Sequence, residues 1–414
     1  MTEVSSPAGV RPVTAADGSP WRVVVQGAAA LAVGMGVGRF AYTPILPLME
    51  HQAGMSASMG SDLATANYAG YLAGALLGIF IPGIARSRLA LRASLLLIVA
   101  TLALMPVTEI PGLWLALRLI AGVASALLFV ISSSAMLARL HRGAQHLVGW
   151  GFGGVGLGIA LSGVLVLAVQ SASASSWRTA WWSSAVLAAA LSAAGWALRP
   201  EPPGEATVLQ RHGDLPRTHR WFAALLASYS LEGVGYIIAG TFLVAAISQN
   251  SPGWLGGGSW VVVGLAALPA SAMWAYLAQR RPRSTLLLCA LALQAAGIAL
   301  PSLAGGIAPA LVSAVLFGNT FVAISSTAVA IGTHLQFPRS VAILTAGYSV
   351  GQILGPLAVK PLLGSGYHGA LLVGAFIVLA AAVAAAALRI RFPHRVGAMV
   401  EPSRTASFRE TRES

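Results

Sequence analysis

The chain has 414 residues, of which 57% are hydrophobic and only 9% are charged, and its mean hydropathy is +0.77. An ordinary soluble domain carries about 25% charged residues, so this composition excludes a soluble protein and predicts an all-α polytopic membrane protein covered by lipid. The formal net charge of +13 does not indicate nucleic-acid binding, because the arginines lie in alternate connections between apolar runs. A single cysteine, and histidines without ligand spacing, lead us to expect no disulfide, no metal and no other cofactor.

Twelve apolar runs separated by polar breaks predict twelve transmembrane helices. They lie at residues 23–49, 62–85, 93–108, 112–137, 147–169, 178–198, 221–247, 259–279, 285–304, 307–333, 341–363 and 369–390. The long connection of residues 199–220 divides the chain into two six-helix halves, 22–198 and 221–390. We expect residues 1–21 to form a disordered tail and residues 391–414 a second tail. Prolines are expected to bend the outer ends of two spans, the first at Pro44 and Pro47 and the eleventh at Pro356 and Pro361.

The positive charges predict the orientation of these helices. Connections after the second, fourth, sixth, eighth and tenth spans are rich in arginine, whereas those after the first, third, seventh and ninth contain no Lys or Arg. Basic connections stay in the cytoplasm. Both termini, with the tails and the central loop, are therefore predicted to be cytoplasmic, in a bacterial inner membrane.

The two halves carry matching glycine patterns. Gly36-Val37-Gly38 in the first span corresponds to Gly233-Val234-Gly235 in the seventh, and Gly154 and Gly158 in the fifth correspond to Gly351 and Gly355 in the eleventh. Both matches have the same offset and the same predicted topology. They indicate a parallel duplication, an arrangement found in major facilitator transporters, whose solute site lies between the halves near the bilayer midplane.

Four stretches resemble the YbfB/YjiJ-type group of that superfamily: GVGRFAYTPILPLM at 36–49, NYAGYLAGALLG at 67–78, YSLEGVGYIIAGTFLVA at 229–245 and GQILGPL at 351–357. The resemblance extends over both halves and implies a twelve-helix inner-membrane transporter. The stretch RLIAGVASA at 118–126 is similar to a pattern of proton-driven exporters, with Ala121 where glutamine is usual. On this likeness Arg118 is a possible proton-transfer residue, and a side chain that snorkels to the interface is the alternative.

Two ionisable residues in the spans are the leading functional candidates. Glu232 is the only acid deep inside an apolar run, where a charge is disfavoured by roughly 2.5–3.5 kcal/mol. The offset between the halves places it about one helical turn from Arg39. We expect Glu232 to carry the coupling proton and Arg39 to bind an anionic group in a shared central cavity. A structural ion pair, or a snorkelling Arg39, remains the alternative.

Further polar side chains in the spans could orient a solute or tie neighbouring helices together. The predicted solute-binding residues, besides Arg39, are Tyr42, Tyr71, Tyr236, Asn319 and Gln352. Lys360, near the outer end of the eleventh span, is expected to snorkel to the interface.

These observations favour a secondary active transporter of a small organic solute that uses protons, works by alternating access and needs no oligomer. The alternatives are an uncoupled facilitator and a solute receptor with a transporter fold. An enzyme is not expected, because the sequence offers no phosphate-binding loop, no paired acids in the membrane and no nucleophile–His–acid set.

Overall fold

The computed structural model of the chain describes residues 19–81, 83–140, 144–172, 176–200, 218–249, 253–337, 339–390 and 392. The predicted tails and the predicted loop of residues 199–220 lie largely outside these ranges. Within them the chain forms twelve long helical segments. These are α1 Pro20–Gln52, α2 Ala57–Phe80, α3 Arg88–Leu104, α4 Pro111–Leu140, α5 Val148–Ser171, α6 Trp177–Gly195, α7 His219–Gln249, α8 Gly253–Leu277, α9 Arg283–Leu303, α10 Ile307–His334, α11 Ser340–Val359 and α12 His368–Leu388.

Eleven of these segments are long and apolar enough to cross a membrane. The remaining one, α6, has 19 residues and is richer in Trp and Ser. Several large apolar side chains point away from the protein, among them Phe80, Leu89 and Phe376, which are 77%, 78% and 71% exposed. Such an apolar exterior needs lipid to cover it. The predicted all-α membrane fold is confirmed. The helix α3 begins at Arg88, five residues earlier than the sequence suggested, because Ser87 caps it by accepting a bond from the Ala90 N–H.

The packing within the first half is repeated in the second. In the first half α2 packs on α4, α3 on α6 and α1 on α5, and the corresponding pairs of the second half are α8 on α10, α9 on α12 and α7 on α11. The glycine patterns explain the closest of these contacts. A Cβ on Gly154 would lie 2.1 Å from the Ala28 carbonyl oxygen, and one on Gly351 would lie 2.4 Å from the Ser230 carbonyl oxygen. Only glycine allows these backbones to approach so closely.

The two halves meet along α5 and α8, along α2 and α11, and where α1 crosses α7. Pairs of glycines and small residues line the α5–α8 contact, and a Cβ on Gly264 would lie 2.2 Å from the Ala160 nitrogen. We call the face that holds Pro20 and Leu388 the terminal face and the opposite face the far face. One group of side-chain hydrogen bonds and ion pairs joins the halves at the level of Arg39 and between it and the far face.

The polar bridges near the far face come from both halves. The Thr43 hydroxyl donates to the Gly240 carbonyl at 2.5 Å, and the Ser61 hydroxyl donates to the Pro356 carbonyl at 2.9 Å. The Lys360 ammonium pairs with Asp62 at 2.6 Å, and the Tyr367 hydroxyl donates to Glu50. Lys360 was expected to snorkel to the interface; its side chain is 36% exposed and pairs with a carboxylate on α2. The far face is closed in this conformation.

Candidate solute site between the two halves

The centre of α1 is not a regular α-helix. Residues 32–37 form a π-helical turn, in which the Gly38 N–H bonds to the Val33 carbonyl at 2.8 Å, and the α-helix resumes only at Tyr42. A Cβ on Gly36 would lie 2.5 Å from the Gly158 Cα, so the backbone of α5 is in close contact with this turn. The irregular turn thus falls at the glycines, and the helix that begins at Tyr42 continues through Pro44 and Pro47. Single π-helical turns are frequent at functional sites, because they re-aim the side chains that follow.

Arg118 holds this irregular segment in place. It is 2% exposed, and its guanidinium donates to the carbonyls of Gly38 at 3.2 Å and Arg39 at 3.3 Å. Its guanidinium carbon also lies 4.7 Å from the centroid of the Tyr42 ring, whose hydroxyl donates to the Gly60 carbonyl at 2.8 Å. The snorkelling interpretation of Arg118 is wrong, since the α1 carbonyls give it buried acceptors. Tyr42 therefore contacts Arg118, and it does not contact Arg39 directly.

Arg39 projects from the same segment across the interface between the halves. Its guanidinium donates to the Tyr236 hydroxyl on α7 at 3.3 Å and to the side-chain oxygen of Gln352 on α11. Three rings surround the cation, with centroids at 4.5 Å for Tyr71, 4.9 Å for Tyr68 and 5.2 Å for Phe40. Arg39 is 2% exposed, so it does not snorkel. The structure therefore brings together four of the predicted residues, which are Arg39, Tyr71, Tyr236 and Gln352.

Tyrosines dominate the surroundings of Arg39. Five of the eight in the chain converge here, namely Tyr68, Tyr71, Tyr229, Tyr236 and Tyr348. Tyr348 stacks on Tyr229 at 4.3 Å and on Tyr236 at 5.4 Å between centroids. Tyr68 and Tyr348 were not among the residues predicted from the sequence. Their signal was available, because each is a tyrosine in the interior of an apolar helix, where its hydroxyl needs a partner.

Several buried polar atoms at this interface have no hydrogen-bond partner among the described residues. They include Arg39 Nε and Gln352 Nε2. Unpaired buried polar atoms are costly, at about 1–3 kcal/mol each, and they are uncommon in proteins unless water or a ligand binds them. The set contains two N–H donors beside a permanent positive charge, which suits an anionic or strongly accepting group.

Glu232 lies one turn before Tyr236 on α7 and is fully buried. Neither carboxyl oxygen has a hydrogen-bond partner in the described part of the chain, and the side chain of Gln294 on α9 lies beside it. No ion pair forms between Arg39 and Glu232, so the structural ion-pair interpretation is wrong. Arg39 hydrogen-bonds Tyr236 and Gln352, whereas Glu232 lies beside Gln294. Tyr236 is the hydrogen-bond partner of Arg39 that lies one turn from Glu232 on α7.

Asn319, the remaining predicted residue, ties two helices of the second half together. Its side-chain oxygen accepts from the Trp274 indole N–H at 2.9 Å, and its backbone carbonyl accepts from the same group at 3.0 Å. Asn319 lies on α10 and Trp274 on α8. The observed contact of Asn319 is therefore a hydrogen bond that ties two neighbouring helices together, and not a contact in the site around Arg39.

Comparison with known proteins now identifies the family. A family model described as "Uncharacterised MFS-type transporter YbfB" matches residues 31–389. The chain belongs to this family of MFS-type transporters. Two crystal structures of the nucleoside transporter NupG share the fold of this MFS-type transporter. A point mutant has TM-score 0.66 and 14% identity and covers 89% of this chain and 99% of its own. The other NupG structure has TM-score 0.64 and 15% identity and covers 89% and 98%.

A search of curated proteins finds no match. The family and the fold make this chain a multi-pass membrane transporter of a small solute and not an enzyme. The resemblance inferred from the sequence motifs is confirmed.

Proposed function

We propose that this MFS-type transporter is a secondary active carrier of a small organic anion, coupled to protons, with both termini in the cytoplasm. One observation carries the proposal: a buried arginine on α1 binds Tyr236 and Gln352 of the other half across the interface. A solute whose anionic group accepts bonds from Arg39 would take the place of these partners. Its binding would thereby change the contacts that hold the two halves together.

The alternating-access cycle follows from the position of these contacts. In the present conformation polar bridges close the far face, and we place the terminal face in the cytoplasm because its connections are rich in arginine. With the far face closed and Arg39 only 2% exposed, the present conformation keeps the site away from the outside. Rocking of the halves about the α5–α8 contact would break the bridges of the far face and expose Arg39 to the outside.

Glu232 would couple the cycle to protons. A fully buried carboxyl group that has no counter-charge is stable when it binds a proton or a cation, because an isolated buried charge is expensive. Tyr236 lies one turn away and hydrogen-bonds Arg39. When the solute binds Arg39, Tyr236 is released and can reorient toward Glu232, so the solute and proton sites communicate through one side chain.

The test uses the protein in liposomes with a labelled solute, chosen by a thermal-shift screen of organic anions against the purified protein. Glu232→Gln removes the titratable group while keeping its size. We expect it to abolish accumulation driven by a pH gradient and to retain counterflow, the exchange of labelled for unlabelled solute. Glu109→Gln, at an exposed acid, is the matched control and should accumulate solute as wild type does.

Three outcomes separate the alternatives. If Glu232→Gln still concentrates solute against a gradient, Glu232 is not the coupling residue. Wild-type protein that shows counterflow without any gradient-driven accumulation would be an uncoupled facilitator. Binding without counterflow in the wild type would make the protein a receptor.

A further inference from the structure

Gln294 on α9 was not among the residues predicted from the sequence, and its side chain lies beside the Glu232 carboxyl group. Both side chains are 0% exposed. Apart from each other, neither the two carboxyl oxygens nor the nitrogen and oxygen of the amide have a hydrogen-bond partner among the described residues. A buried polar group that bonds nothing is costly in free energy. These two groups therefore depend on each other.

The repeat between the halves shows that the pair is not part of the packing that the halves share. The offset of 197 residues places Met35 of α1 where α7 has Glu232. At the same offset, the middle of α9 corresponds to residues 95–100 of α3, which read LLLIVA. The first half is thus apolar where the second half has an acid and an amide. Polar groups that break the packing pattern of a fold are expected at functional sites.

Tyrosines are the titratable groups that face Glu232 from the surrounding helices. Tyr229 and Tyr236 lie one turn before and one turn after it on α7, and Tyr348 approaches from α11. Arg39 lies beyond Tyr236, to which it donates. The helices α9, α10 and α12, which also pack on α7, have Arg or His only at their first or last residue and contain no Asp, Glu or Lys. The amide on α9 is therefore the polar group best placed to respond to the carboxyl group.

A carboxamide can bond a carboxyl group in both of its proton states. The N–H of a glutamine donates to an ionised carboxylate, and the carbonyl oxygen of the same side chain accepts from a protonated carboxyl group. The bond to the ionised form is the stronger of the two, because one partner carries a charge. An apolar neighbour would leave the ionised form without any hydrogen bond in a buried site. Glu232 would then keep its proton, whereas a coupling group must also release it.

We propose that Gln294 is a positioning residue for proton coupling, which holds the Glu232 carboxyl group and sets the pH at which that group gains and loses its proton. The inference rests on the proposed role of Glu232. Glu232 exchanges the proton with water, and Gln294 neither gains nor loses one. The amide turns its nitrogen to the ionised form and its oxygen to the protonated form, so α9 responds to whether the proton is bound.

The experiment follows the proton on Glu232 directly and needs no solute. Infrared spectra of the full-length protein in liposomes are recorded across a pH titration, and the C=O stretching band of protonated carboxyl groups is measured. The band that Glu232→Gln removes belongs to Glu232. In Gln294→Met, which keeps the length of the side chain and loses the amide, we expect the midpoint of this band to move to higher pH by about one unit or more.

The matched control is Gln170→Met, the same change near the far-face end of α5 in the first half, and it should titrate as the wild type does. Gln294→Asn keeps the polarity but shortens the side chain, so it should move the midpoint in the same direction even if Gln294→Met does not fold. A wild-type midpoint in the folded Gln294 variants, or an equal shift in the control, would overturn this inference and leave the role of Glu232 standing. If Glu232→Gln removes no titrating band, the proposed role of Glu232 fails, and this inference fails with it.

Discussion

Two buried arginines of this transporter, Arg39 and Arg118, donate hydrogen bonds to different kinds of group. Arg118 donates to two backbone carbonyls and remains within its own half. Arg39 donates its hydrogen bonds to side chains of the other half, and a solute could replace these contacts. A guanidinium that binds the backbone supports the fold, whereas one bound to exchangeable side chains can serve a ligand. Arg118 therefore holds the backbone of the segment that carries Arg39.

A lysine at position 39 tests this assignment. Arg39→Lys keeps the charge but loses the planar fork, so we expect affinity for the proposed anionic solute to fall about tenfold or more, the effect of losing one hydrogen bond to a charged group. Binding is measured from the Tm shift as a function of solute concentration. Arg178→Lys, at an exposed arginine of the far face, is the control and should bind normally. Unchanged affinity in a folded Arg39→Lys protein would remove Arg39 from the site.

At the residue scale the sequence predicted part of the site. Arg39, Tyr236 and Gln352 could be named because they are polar and lie in distinctive motifs of apolar spans. The Lys360–Asp62 pair could not, since its members are separated by 298 residues and only the docking of α2 on α11 brings them together. Whether two such side chains meet depends on how each helix is rotated about its own axis. A run that is hydrophobic on all sides does not reveal that rotation.

At the scale of elements, the glycine patterns determine how α1 and α7 are held. A Cβ on Gly158 would lie 2.5 Å from the Ala32 carbonyl oxygen and 2.8 Å from the Gly36 Cα. The same close approach accompanies the π-helical turn from which Arg39 projects. The sequence predicted the packing of these glycines. It did not predict the π-helical turn. The turn lies where α5 approaches α1 closely and where Arg118 donates to the Gly38 and Arg39 carbonyls, and these contacts between helices are not visible in the sequence.

Gly158→Ala should accordingly be damaging. We expect it to lower stability by about 1–3 kcal/mol, the usual effect of overpacking, and to weaken solute binding because the turn bearing Arg39 must shift. Thermal unfolding and solute titration measure the two effects. Gly112→Ala is the control, because a Cβ at that helical position meets no atom within 4 Å. It should be neutral or slightly stabilising. Equal stability of the two variants would show that the α1–α5 contact can relax.

At the scale of the whole molecule, an internal duplication produces contacts between equivalent residues. Arg39 bonds Tyr236 and Thr43 bonds Gly240, and each pair is separated by 197 residues, the offset of the repeat. Residues that meet their own counterparts lie on the axis relating the two halves. The sequence predicted the repeat and the twelve helices because both depend on local patterns. It could not indicate which face is closed, since that depends on contacts between the halves.

The bridge between Lys360 and Asp62 should stabilise the closed far face. Both side chains are about one-third exposed, at 36% and 34%, so the pair contributes about 1 kcal/mol at most. Lys360→Gln should therefore change the ratio of closed to open far face by up to about fivefold. Spin labels at Ser171 and Ser365, in a Cys289→Ser background, report the distance between the halves at this face.

We expect Lys360→Gln to add a population at longer distance. Arg178→Gln is the control for this measurement. It removes an ion pair with Glu109 on the same face, but that pair lies within the first half, so the distance distribution should match that of the wild type. Identical distributions for Lys360→Gln and wild type in lipid would show that the α2–α11 bridge does not hold the far face closed. Closure would then depend on the hydroxyl bonds of Thr43 and Ser61 and on the contact between Tyr367 and Glu50.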